Sequence, residues 1–376
     1  MRLVRARRFE SAVVTQGSVR AQDASAMSDP FLIYGATGYT GRLMASDAMR
    51  VGLRPILAGR DPGKLEALAA ATGLECRTAA LADADALDRA LADVAVVVHA
   101  AGPFAATARP MLDACLRTGT HYLDISGEVP AIESLARSDA AARARRIMVM
   151  PGVGFDVVPS DCLAAHVTRR LPSATSLVLG IAGLTLATRG SVKTLVEYAG
   201  DVAVRRGGAL TALPPGALQR EFDYGAGPRA SVAVSWGDVA SAYYTTGVPN
   251  VDVCFEATPA LRSILAANRY LGPLLRSPPS QVLMKAAADL IPDGPVDAER
   301  AAARTTIVAR AEDGHGRRAE ARLHAPEAYT LTAATAPAVA RRVLAGDLEP
   351  GFQTPARVYG PDFALAFAGI TREDVA

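Results

Sequence analysis

The sequence predicts an α/β fold: a doubly wound parallel sheet joined to a second α+β domain with a mostly antiparallel sheet. Three observations predict it. Short apolar runs of β-forming residues alternate with helical spacing from Phe31 to Met150. The first of these runs leads directly into a glycine-rich turn and then a helix. After Pro172 the alternation gives way to strand-like segments with hairpin signals.

At roughly 150 residues per domain, a chain of 376 residues makes two domains. Half of the residues are hydrophobic and 21% are charged, which supports a full core and excludes global disorder. The net charge of +2, from 40 basic and 38 acidic residues, makes no electrostatic case for a nucleic-acid partner. Cys76, Cys115, Cys162 and Cys254 lie far apart without metal-ligand spacing. Neither a disulfide framework nor a metal site is expected, and a cytoplasmic location fits. The longest apolar run, Leu177–Ala187, is too short for a transmembrane segment. Residues 1–26 are Arg-rich and acid-poor, with no apolar signal core, and Met27 precedes the first strand as a natural start. They are expected to form a disordered extension.

In chain order, Phe31–Tyr34 reads as the first strand, and Arg42–Val51 as a helix stopped by Gly52. Between them stand Gly35, Thr37, Gly38, Tyr39, Thr40 and Gly41. A dinucleotide pyrophosphate needs glycines in that place: Gly35 for a tight turn, Gly38 for backbone approach to the phosphates, Gly41 for close helix packing. The second strand, Arg54–Ala58, ends in Gly59-Arg60-Asp61. Arg60 takes the place usually held by an acid that binds the ribose, and a guanidinium there suits a 2′-phosphate, so NADP(H) is the expected cofactor. Asp61 before Pro62 reads as a helix cap.

Glu75–Leu81 reads as the third strand, with Asp83 capping the next helix and bordering the adenine. Val94–His99 is apolar throughout, as a strand buried on both faces should be. It opens into Ala101, Gly102, Pro103 and Phe104, a small-residue loop past which a cofactor fits. Helices are expected over Pro110–Arg117, Pro130–Arg145 and Ser160–Arg170, and strands over His121–Ile125 and Ile147–Met150.

GATGYTGRL at 35–43, AGR at 58–60, AGPF at 101–104, HYLDISGE at 121–128 and PGVGFDVVPSD at 151–161 follow one another in order, with GFQTPARVYGPDF at 351–363. This set resembles the saccharopine dehydrogenase-like oxidoreductases, and among them the bacterial trans-acting enoyl reductases. One departure is His99 followed by Ala100, where the family pattern has an Asn before AGPF. The resemblance implies an NADP-binding Rossmann-type domain, a second α/β domain and hydride transfer, and leaves the substrate open. It also brings the C-terminus back to the first domain. The expected layout is 27–173 with 327–376 as the dinucleotide-binding domain and 174–326 as a substrate and dimerisation domain.

For the chemistry, Tyr-x-x-x-Lys is absent: Arg60, Arg189 and Gln281 stand four residues before Lys64, Lys193 and Lys285. In an open parallel sheet, ligands lie beyond the carboxyl ends of the strands. That selects the loops with Tyr122, Asp124, Glu128, Asp156 and Asp161. Tyr122, Asp124 and Asp156 are the catalytic candidates; core packing is the structural alternative for Tyr122 and loop bracing for Asp124, and Asp161 reads equally as part of a helix first turn. Phe104, Gly127, Glu128, Phe155 and Ser160 are the substrate-side candidates. His166 and His315 read as structural. The leading expectation is an NADPH-dependent reductase of a conjugated C=C in a small or acyl-carrier-linked lipid or polyketide intermediate. A C–N dehydrogenase and a non-catalytic NADP sensor are the alternatives, and a homodimer is expected.

In the second domain, Leu177–Leu186, Arg220–Tyr224, Ser231–Trp236 and Val251–Ala257 read as strands. Thr305–Ala311 and Arg317–His324 read as a hairpin around Asp313-Gly314. Ser191–Val204, Ala260–Leu275, Gln281–Ile291 and Ala328–Leu344 read as helices, and Arg206–Leu218 as a loop over the site.

Overall fold

Burial of continuous apolar runs builds the first layer. In the computed structural model, which describes residues 30–184, 188, 201–275, 277, 280, 284, 287 and 293–375, six strands come first. They are β1 (Phe31–Tyr34), β2 (Ile56–Gly59), β3 (Cys76–Thr78), β4 (Val96–His99), β5 (His121–Asp124) and β6 (Met148–Met150). Every residue of β1, β2 and β4 is buried, as strands covered on both faces require. Helices α1 (Tyr39–Arg50), α2 (Pro62–Thr72), α3 (Ala84–Leu91), α4 (Phe104–Thr118), α5 (Val129–Ala136), α6 (Asp139–Ala144) and α7 (Val158–Arg170) complete the first domain.

The second domain contains β7 (Ser176–Ala182), β8 (Val202–Arg206), β9 (Ala209–Leu213), β10 (Gln219–Asp223), β11 (Pro228–Ala233), β12 (Asn250–Glu256), β13 (Arg304–Glu312) and β14 (Arg318–Pro326). Its helices are α8 (Asp238–Thr246), α9 (Pro259–Leu275) and α10 (Asp297–Ala302). The chain ends in α11 (Ala328–Leu344), β15 (Gly351–Phe352), α12 (Pro355–Tyr359) and β16 (Thr371–Asp374). The first sheet is parallel in the order β15-β6-β5-β4-β1-β2-β3. Strand order reverses between β1 and β4, which opens the crevice where such sheets bind ligands. In the second sheet, among the described residues, only β7 and β12 pair in parallel; the order is β10-β11-β12-β7-β13-β14-β16, with β8 and β9 at its side.

Four differences from the sequence-based expectation have physical causes. Helix α4 begins at Phe104, six residues before Pro110, because the Glu128 carboxylate accepts from the Phe104 and Ala105 N–H groups at 2.8 and 2.7 Å. The helix expected over Pro130–Arg145 is two, broken where the Ser138 N–H turns back to the Leu135 carbonyl. The segment expected as the end of a helix and a loop folds as the β8–β9 hairpin across Gly207-Gly208, both at positive φ. The final strand β16 pairs with β14 of the second sheet, so the chain beyond Glu327 serves both domains. Within that stretch α11, capped by the Glu327 carboxylate, packs on α1, β4 and β5, and β15 extends the first sheet beside β6. Residues 1–26 and the helix expected over Gln281–Ile291, apart from Met284 and Ala287, lie outside the described residues, as does most of the one expected over Ser191–Val204.

Candidate active site

The glycine-rich turn sits at the crevice. Gly35 has φ +86°, and a Cβ there would lie 2.9 Å from the Ala101 nitrogen, so only glycine lets β1 turn against the loop after β4. A Cβ on Gly41 would run into the Gly35 carbonyl oxygen and the Ala36 backbone. Gly38 is exposed and begins α1 without a side-chain cap, which leaves the first N–H groups of that helix to a ligand. Thr37, Tyr39 and Thr40 are partly buried around this turn. The turn fits a pyrophosphate, because its glycines let the backbone close tightly and bring the first N–H groups of α1 to the crevice. Arg60 follows β2, is exposed, and has no ion pair among the described residues; its charge acts on Tyr34 in β1. Asp61 caps α2 through the Lys64 N–H, and Asp83 caps α3 through the Ala86 N–H. Ala101 and Pro103 are partly buried and Gly102 is exposed, on the loop above β4.

Hydrogen bonds tie the three loops beyond β4, β5 and β6 into one rim. Glu128 links the β5 loop to α4. The buried Asp124 carboxylate accepts from the Ser126 and Gly152 N–H groups at 2.9 and 3.0 Å and from the Tyr122 hydroxyl at 2.6 Å. It therefore joins the β5 and β6 loops. Burial raises the Asp124 carboxyl to about 6 and, with the Asp124 charge, holds the Tyr122 hydroxyl well above its ordinary value.

Asp156 differs from both. It is partly exposed and has no hydrogen-bond partner among the described residues. Its carboxylate lies so close to Gly127 that a Cβ there would be 2.6 Å from Oδ2. Burial, then the Glu128 charge, raises it to about 7. Two residues expected at the substrate wall stand elsewhere. Phe155 is 1% exposed, with its N–H bonded to Thr332 Oγ1 of α11. Ser160 is also 1% exposed, with its hydroxyl on the Val157 carbonyl. Both belong to the core of the α7 entry and offer no surface to a ligand.

The second domain closes over this rim with residues that sequence reading missed. A Cβ on Gly237, before α8, would be 3.2 Å from Gly127 Cα. The next residue, Asp238, is fully buried; burial, then the Asp161 charge, raises it well above the usual carboxylate range. Asp161 accepts from Thr245 Oγ1 at 2.6 Å and the Ala356 N–H at 2.9 Å, and burial raises it to about 6. Arg205 pairs with Glu133 of α5, which also accepts from the Tyr244 hydroxyl at 2.9 Å. On the α1 side, the Tyr39 hydroxyl donates to the Pro295 carbonyl at 2.5 Å and accepts from the Arg300 guanidinium at 2.7 Å. His99, under the β4 loop, is buried against Tyr34, Phe104 and Tyr122, and burial lowers it to about 3, so it is neutral. The Trp236-Gly237-Asp238 run after a strand was the one local signal for the second-domain contribution.

These acids make stability fall with rising pH. A carboxyl that titrates higher in the fold than in the unfolded chain contributes stability that is complete below its unfolded value, near 3.8. That contribution is lost as pH rises through about 6 to 7. Asp88 and Asp93, lowered by Arg117 and Arg77, act oppositely at lower pH, and His99 and His121, lowered by burial, act oppositely below about 6.5, but the four raised acids outweigh the two histidines. Tm is expected to rise as the buffer goes from about pH 8 to about pH 5, and Asp238→Asn to flatten that slope. A Tm that climbs toward pH 8 would contradict this.

Residues 31–150 match the family described as Saccharopine dehydrogenase NADP binding domain. A trans-acting enoyl reductase of Mycobacterium ulcerans (strain Agy99) is 31% identical over 183 residues, and one of Mycobacterium leprae (strain TN) is 34% identical over 150. These matches cover 44% and 37% of this chain and 43% and 35% of the relatives, so the chain spans less than half the length of either. Apo saccharopine dehydrogenase (L-Glu forming) from Saccharomyces cerevisiae shares the fold, with a TM-score of 0.60 over 93% of this chain and 100% of that one at 14% identity. Among the described residues no helix is long and apolar enough to cross a membrane, and no group of His, Cys, Asp and Glu is placed to hold a metal ion. Residues 31–150 are therefore similar to the NADP-binding domain of saccharopine dehydrogenases.

Proposed function

We propose that this chain is an NADPH-dependent reductase of a conjugated C=C in an enoyl thioester, free or carrier-linked, of a lipid or polyketide. The observation that carries this reading is Asp156. A partly exposed carboxyl near pKa 7, without a competing partner, at the carboxyl edge of a dinucleotide-binding sheet, is suited to proton delivery. The names of the mycobacterial relatives supply the acceptor class.

NADPH, when bound, supplies the hydride. The turn from Gly35 to Gly41 receives the pyrophosphate and Arg60 the 2′-phosphate. Asp156 gives its proton to the α-carbon as the β-carbon accepts hydride, so the double bond is saturated and a carboxylate remains. Its exposed edge lets water restore the proton. The Gly127 N–H, on the loop against which Asp156 rests, is the donor to the thioester oxygen as charge develops there. Tyr122 and Asp124 position this apparatus: they hold the β5 and β6 loops together and do not exchange protons with substrate.

The cofactor half is tested at Arg60. NADPH is expected to bind at least about tenfold more tightly than NADH, since one bidentate charge-assisted contact can supply about 1.4 kcal/mol. Arg60→Ala should remove most of that preference and leave NADH affinity nearly unchanged, as read by fluorescence titration. Equal affinities in the unmodified protein would contradict the assignment.

A further inference from the structure

The second domain reaches the first residue of α1. Tyr39 opens that helix, so its backbone N–H is one of those that an α-helix leaves without an internal partner. Its hydroxyl is held between the Pro295 carbonyl and Arg300 of α10, whose guanidinium also donates to that carbonyl at 3.3 Å. The guanidinium lies 5.8 Å from the centre of the Tyr39 ring. A Cβ on Gly294 would be 2.7 Å from the same ring, so the chain before α10 lies directly against it. Tyr329 of α11 meets the ring edge-on, with centroids 5.4 Å apart. Asp293 pairs with Arg42, also on α1, at 3.3 Å.

Charge is not what this segment supplies. Asp293 and Asp297 are each paired with an arginine, Arg42 and Arg300, so these pairs add no net charge at the helix end. What the segment supplies is orientation. The Arg300 side chain is 14% exposed and crosses from one domain to the other to meet a single hydroxyl. A side chain fixed by two hydrogen bonds and by packing fixes the backbone that carries it, and a binding site ordered in advance costs less to occupy.

We propose that Arg300 and the Gly294-Pro295 backbone form a clamp through which the second domain holds Tyr39, and with it the first turn of α1, in the arrangement that receives the pyrophosphate. Arg300 is thus a positioning residue for the dinucleotide. This rests on the cofactor assignment above and not on the acceptor or on Asp156.

The test is titration of the full chain with NADPH, NADH and adenosine 2′-phosphate, which has no pyrophosphate. Arg300→Ala should weaken NADPH and NADH alike by about tenfold, the order of one hydrogen bond to a charged group, and leave adenosine 2′-phosphate within about twofold. Arg60→Ala, by contrast, acts on NADPH and not on NADH. Tyr39→Phe keeps the ring between Gly294 and Tyr329 but loses the hydroxyl. It should weaken the same two dinucleotides, and it carries the test alone if Arg300→Ala does not fold. In the Tyr39→Phe background, Arg300→Ala should add little, because both substitutions remove one contact. Unchanged NADPH affinity in either variant, equal weakening of all three ligands, or additive effects of the two substitutions would overturn the proposal. If the unmodified protein bound neither dinucleotide, the cofactor assignment would fail and the clamp with it.

Discussion

Asp156→Asn is expected to lower the rate of NADPH-dependent enoyl thioester reduction by about 10²–10⁴-fold, the usual contribution of a positioned general acid. The amide keeps the shape of the side chain beside Gly127 but has no proton to give at neutral pH. NADPH affinity should stay within about twofold, because the glycine-rich turn and Arg60 lie on other loops. The pH profile provides a second readout. In the unmodified protein, activity should fall as pH rises through about 7, where Asp156 loses its proton. The variant should lack that falling limb. A variant rate within about threefold of the unmodified protein would remove Asp156 from the chemistry.

Asp124→Ala should unfold the protein far more easily without acting on the chemical step directly. The substitution leaves the Ser126 and Gly152 N–H groups and the Tyr122 hydroxyl without their acceptor in a fully buried place. An orphaned buried donor costs about 1–3 kcal/mol, and three that share one acceptor add less than proportionally, so a loss of about 3–5 kcal/mol is expected. The urea midpoint measures it. At low temperature, where the variant stays folded, it should retain the falling pH limb that belongs to Asp156. An unchanged midpoint with lost turnover would instead make Asp124 the reactive group.

The first domain was legible because its signals are local. Burial on both faces makes β1 and β4 continuous apolar runs, and Gly35, Gly38 and Gly41 mark the turn between strand and helix by their spacing alone. Helix α11 was equally plain, since Ala328–Leu344 has helical periodicity and Gly346 ends it. What escaped was determined at long range. The cap that starts α4 at Phe104 comes from Glu128, which only the folded β5 loop brings near. Strand β9 is mostly exposed, so no core face imprints an alternating pattern on it, and the turn at Gly207-Gly208 looked like part of a loop. Strand β16 is similarly exposed and charged, and only β14 gives it a place.

The same division runs through the site. Gly127 and Asp156 lie in motifs visible in the chain, but that the Asp156 carboxylate rests on Gly127 is a tertiary fact. Asp238 is invisible as a site residue until α8 sets Gly237 on the β5 loop. Tyr122 and Asp124 looked alike as titratable groups near a strand end. Three hydrogen bonds on the Asp124 carboxylate, against none on Asp156 among the described residues, separate the two once the chain is folded.

The central claim is hydride and proton transfer to a conjugated C=C, and one measurement meets it directly. The protein is mixed with NADPH carrying deuterium at the transferable position of the nicotinamide and with a panel of enoyl thioesters and imino acids, and the products are weighed. NADPH should be consumed only with the enoyl thioesters, with one deuterium on the β-carbon and a solvent proton on the α-carbon. Consumption of NADPH with imino acids alone, or tight NADPH binding with no consumption across the panel, would contradict it.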